Sequence, residues 1–163
     1  MKTNIVALAA LITGLTFASA AEKIKAPNGG RIIDSVEPHA EFLITADKKI
    51  EIRFLDDAGK VVAPAAQVVT VTMGDRANPT KLAFAKDGDK LVSDKTIPEG
   101  KELPVVLQIR AKEGEKAVSA KFSLNLAKCP TCEHAEYACT CAHGGEEKGH
   151  EGHDHKEGDG HKH

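Results

Sequence analysis

The sequence predicts an all-β fold: an immunoglobulin-like two-sheet sandwich, with a small β-barrel as the alternative, followed by a Cys/His-rich C-terminal segment. Three observations predict it. Between Arg31 and Leu126 apolar residues recur with a period close to two, and turn residues break the pattern at short intervals. No helical period runs through that stretch. After Leu126 the composition changes abruptly: residues 129–163 hold all four cysteines and seven of the eight histidines, with almost no large apolar side chain.

The N-terminus carries Lys2, an apolar run from Ile5 to Phe17, and the small residues Ala18-Ser19-Ala20. This reads as a secretory signal peptide over residues 1–20, with the mature chain starting at Ala21 and destined for secretion, in a bacterium the periplasm. The run is too short to span a bilayer, no second one follows, and no membrane span is expected in the mature chain. A formal net charge of −2 gives no electrostatic support to a nucleic-acid partner or a membrane surface. With no Trp, one Tyr and five Phe, the core must be built mainly from Val, Ile, Leu and Ala.

Taken in order, the first strands are Arg31 to Val36 and His39 to Thr45. The second alternates Ala40, Phe42 and Ile44 with Glu41 and Leu43. Lys49 to Leu55 sets Ile50, Ile52 and Phe54 against Lys49, Glu51 and Arg53, and Asp56-Asp57-Ala58-Gly59-Lys60 turns the chain into Val61-Val62. Gln67 to Met73 follows, with Met73 expected in the core. Lys81 to Ala85 is then joined through Asp87-Gly88-Asp89 to Lys90 to Ser93. Glu102 to Ala111 points Val105, Leu107 and Ile109 one way, and Ala117 to Leu126 alternates Val118, Ala120, Phe122, Leu124 and Leu126 with polar residues. These elements place a β-domain over residues 21–127, of a size that buries about two-thirds of its unfolded surface.

Residues 128–143 form a Cys/His module. Cys129-Pro130-Thr131-Cys132-Glu133-His134 is followed by Cys139-Thr140-Cys141-Ala142-His143, a loose duplication in which each half offers two sulfurs and one imidazole. Thiolate and imidazole are the side chains that bind Zn²⁺ and copper best. Two such pairs could complete a tetrahedral set of four thiolates, or of three thiolates and one imidazole. Export favours the competing chemistry, because an even number of cysteines in an oxidising compartment commonly means disulfides. Four cysteines allow three connectivities, and a bridge between Cys139 and Cys141 would be strained, so pairing would cross between the halves.

Residues 144–163 contain no aliphatic side chain, and without metal they are expected to be disordered. His150, His153, His155, His161 and His163 lie among Gly, acidic residues and Lys, with His-x-His pairs at His153/His155 and His161/His163. Neutral imidazoles two residues apart can chelate one ion, so the segment is expected to take Cu²⁺, Ni²⁺ and Zn²⁺ in Irving–Williams order. Loading should fall as these rings protonate, between about pH 6.5 and 5.

Ala26-Pro27-Asn28-Gly29-Gly30-Arg31, then Val36-Glu37-Pro38-His39-Ala40-Glu41-Phe42, then the strand ending in Asp56 to Lys60, resembles a small β-module. That module accompanies periplasmic adaptor proteins of heavy-metal efflux systems and occurs alone in secreted bacterial proteins. The resemblance covers residues 26–60. A His often precedes the Gly-Gly pair in such modules, where this chain has Asn28, and His39 matches the imidazole before the second strand. It implies a periplasmic, metal-related setting with a metal transporter or efflux component as partner, and no enzymatic activity. No nucleophile–base pair, carboxylate dyad or phosphate loop points to catalysis either. The expected function is capture, buffering or delivery of Zn or Cu. Two alternatives stay open: a structural or interaction protein with disulfide-bonded cysteines and a solubilising tail, and a thiol-disulfide oxidoreductase, which would need a reactive low-pKa cysteine.

Overall fold

The computed structural model describes residues 24–141. Nine strands follow in order: β1 (Arg31–Ile33), β2 (His39–Ile44), β3 (Ile50–Leu55), β4 (Val61–Val62), β5 (Val68–Met73), β6 (Thr80–Asp87), β7 (Lys90–Ser93), β8 (Glu102–Arg110) and β9 (Val118–Asn125). A short 3-10 turn at Glu136–Ala138 comes last, and among the described residues there is no α-helix and no helix long and apolar enough to cross a membrane. The expected signal peptide, residues 1–20, and the His-rich residues 144–163 lie outside the described residues.

All pairings are antiparallel, in the order β1-β2-β3-β7-β6-β5-β8-β9, with β4 added to β3. The strand β6 decides between sandwich and barrel. It pairs with β7 through Phe84 to Asp87 and with β5 through Thr80 to Ala83, so the two halves form one curled path instead of two separate sheets. The architecture is therefore the barrel alternative, nearly closed. Across the seam, Phe42 on β2 meets Phe122 on β9 edge to face, with ring centroids 5.1 Å apart.

Alternation fills the interior as the periodicity requires. Ala40, Phe42, Ile50, Ile52, Phe54, Val71, Met73, Val105, Leu107 and Leu124 are all buried. The last strand departs from the expected pattern. Of its alternating apolar residues only Leu124 is fully buried, while Val118 is exposed, because β9 pairs on one side alone. Arg31 covers part of the gap, its guanidinium 4.8 Å above the Phe122 ring.

Glu41, set by alternation opposite Ala40 and Phe42, is fully buried. Its carboxylate accepts the backbone N–H of Asn28 (2.9 Å), the Asn28 side-chain amide (2.8 Å) and the N–H of Gly30 (2.9 Å), which fixes the Asn28-Gly29-Gly30 loop. Gly29 sits at φ 77°, and a Cβ at Gly30 would lie 2.5 Å from the Phe42 carbonyl, so both glycines are required. Glu41→Ala orphans these donors, one of them on a buried residue. It should cost about 2–3 kcal/mol in urea denaturation, and a loss below about 0.5 kcal/mol would count against this role.

Candidate metal centre

After β9 the chain doubles back on itself. Cys129 N–H donates to the His134 carbonyl (2.9 Å), Glu136 N–H donates to Ala127 (2.9 Å), and Lys128 bridges Ala135. The 3-10 turn then drives Tyr137 and Ala138 into the core. The Tyr137 hydroxyl accepts the N–H of Ile44 (3.1 Å), its carbonyl accepts from Arg31 (3.1 Å), and its ring packs edge-on to Phe42. Burial raises the pKa of the Tyr137 hydroxyl, against the Ile44 N–H, which lowers it. The segment is thus anchored to the barrel seam between its two cysteine pairs.

That anchorage brings the four sulfurs together. The ligand atoms of Cys129, Cys132, Cys139 and Cys141 all lie within 4.8 Å of one another, and none is disulfide-bonded. The Cys139 sulfur is 3.4 Å from Cys129 and 3.5 Å from Cys132. A tetrahedral zinc site with Zn–S near 2.3 Å has sulfur–sulfur edges of about 3.8 Å, so the set fits a metal of that size. A four-cysteine group that could hold a metal ion is present.

The backbone supports the sulfurs. Thr131 N–H donates to Cys129 Sγ (3.4 Å), Cys141 N–H to Cys139 Sγ (3.3 Å), and the His134 N–H to Cys132. In each case the donor lies two residues beyond the sulfur, a turn that stabilises thiolate by aiming dipoles at it. Burial pushes the Cys129 thiol up, but the Thr131 hydroxyl and N–H and the neighbouring thiols outweigh it and lower its pKa to about 5. Burial dominates at Cys139, which is pushed up to about 12. At Cys132 the His134 N–H pulls downward, yet burial and the Cys129 and Cys141 sulfurs leave the pKa raised.

Among the described residues, the four-sulfur set is the expected donor set whose ligand atoms converge. His134 serves the site through its backbone, while its exposed ring lies against Gly29, whose added Cβ would sit 3.4 Å from Nδ1. A groove of about 810 Å³ runs alongside, walled by Arg31, Asp34 and His39 from the barrel and by His134, Cys139 and Thr140 from the cysteine segment. His143, His150, His153, His155, His161 and His163 fall outside the described residues. Sequence spacing did not reveal the sulfur hydrogen bond of Thr131, nor the grouping of Glu37 and Asp57 with His39.

No protein-family model matches the chain, and no curated protein or solved structure matches it.

Proposed function

We propose that this is a secreted, periplasmic metal-binding protein that captures, buffers or delivers zinc or copper, with the four-cysteine group as its ordered site. The observation that carries the reading is the convergence of four unbridged sulfurs within 4.8 Å. Thiolate sets of this kind suit Zn²⁺ and Cu(I), and the low pKa of Cys129 leaves one sulfur ready to bind at neutral pH. The neighbouring groove gives a donor or acceptor protein access to one edge of the site, since Cys139 lines it and Cys141 is exposed. The histidines beyond the described residues would add low-specificity capacity for the same ions, and a transporter or efflux component is the partner such a carrier would serve.

Native mass spectrometry of the full chain, purified without chelator or nickel resin and paired with a thiol count, tests this. The expected result is a retained zinc or copper ion with four titratable thiols after its removal. A Cys129→Ser/Cys139→Ser variant should lose that one tightly held equivalent and keep the weaker binding of the histidines. Four oxidised cysteines with no retained metal would instead favour the disulfide reading.

A further inference from the structure

We infer that Glu37, His39 and Asp57 form a second site, for a divalent ion of the zinc type, built from one imidazole and two carboxylates. Their ligand atoms all lie within 4.8 Å of one another. The inference does not depend on metal at the cysteines.

Strand register assembles the group. His39 opens β2 opposite Leu55, the last residue of β3, so the turn after Leu55 folds beside the imidazole, and Glu37 approaches from two residues upstream. The two aspartates of that turn have different tasks. Asp56 Oδ1 accepts the N–H groups of Ala58 (3.0 Å) and Lys60 (2.9 Å), which commits it to the turn. Asp57 has no hydrogen bond or ion pair among the described residues, and its carboxylate is left for a ligand.

The imidazole is also underused. His39 Nδ1 is shielded from solvent without a partner, and Nε2 stands 3.9 Å from Glu37, beyond hydrogen-bond range. Zinc with nitrogen and oxygen ligands at about 2.0–2.2 Å needs donors about 3.3–3.6 Å apart. The side chain of His39 is 20% exposed and that of Glu37 72%, so the ring is a fixed anchor and the Glu37 arm can close the remaining distance. Two carboxylates neutralise a dication, and solvent can complete its shell. His39 shares the groove with Cys139, so the imidazole of the harder site and one sulfur of the softer site border one cleft.

Zn²⁺ titration of the isotope-labelled full chain, followed by NMR, tests the site residue by residue, which keeps the tail histidines from masking it. Saturable shifts of the His39 ring and of the Glu37 and Asp57 amides are expected, weakened at least tenfold in Asp57→Asn or Glu37→Gln. Both substituted side chains are exposed, so the fold should survive either change. His39 signals that stay fixed while cysteine and tail signals saturate would overturn the site. So would a response that neither variant weakens, which is what Zn²⁺ held by the His39 imidazole alone would give. Cysteine Cβ shifts in the same spectra report the four-sulfur group separately.

Discussion

Metal affinity at the four cysteines is expected to rise at least about a hundredfold for each pH unit between about pH 6 and 8, Cys132 and Cys139 supplying that minimum. Each thiol that stays protonated across this range, and must lose its proton to bind, contributes about a factor of ten per unit. Cys139, pushed up to about 12 by burial, is such a thiol. Cys132 is another, its pKa raised above the ordinary 9.0. Cys129, lowered to about 5 by the Thr131 hydrogen bonds, is already thiolate and adds nothing to the slope above that pH. The sign follows directly: raising pH removes the competing protons and strengthens binding. Co²⁺ competed against a chelator of known pH dependence measures it, because thiolate-to-cobalt charge transfer reports sulfur ligation and is blind to the imidazoles. A slope of about tenfold per unit or less would show that Cys132 and Cys139 are not both ligands.

Most of the barrel was legible because period-two alternation records which face of each strand is buried. Ile50, Ile52 and Phe54 on β3, and Val105, Leu107 and Ile109 on β8, lie inside as their spacing required. Strand ends moved by a residue or two at most sites, and β1 stops at Ile33 instead of reaching Val36. Choosing between sandwich and barrel needed the pairing of β6 with both neighbours, and pairing between distant strands leaves no mark on local periodicity. The burial of Glu41 was not legible for a related reason. Alternation reports polarity, and a carboxylate satisfied by three donors from Asn28 and Gly30 can occupy a buried position that its type disfavours.

The cysteine group divides in the same way. The pairing of sulfurs was readable from Cys-x-x-Cys and Cys-x-Cys, since short spacing forces proximity. Whether the two pairs meet depended on Tyr137, which lies between them and which the sequence shows only as the chain's single tyrosine. Glu37, His39 and Asp57 needed tertiary information throughout, because the strand register of β2 against β3 alone brings residue 57 beside residue 39.

Replacing Phe42 by Ala should therefore do more than open a hole in the barrel. Phe42 is fully buried and meets two other rings edge-on, Phe122 at 5.1 Å and Tyr137 at 6.0 Å. It joins β2, β9 and the cysteine segment at the one seam where the strand path does not close by hydrogen bonds. Truncating a buried Phe costs about 3–5 kcal/mol, and lost edge-to-face contacts fall within that sum, a large part of the roughly 5–15 kcal/mol that holds a domain together. With no Trp in the chain, emission from Tyr137 reports the seam directly. Urea unfolding of Phe42→Ala followed by that emission and by circular dichroism should show both midpoints falling. Phe42→Leu keeps most of the volume and should recover more than half of the loss. The Ala variant should also bind Co²⁺ more weakly at the cysteines, because the freed Tyr137 no longer fixes Cys132 and Cys139 at 3.5 Å. A Phe42→Ala protein that loses stability yet keeps its thiolate–cobalt affinity would show that the cysteine segment holds its geometry without the barrel.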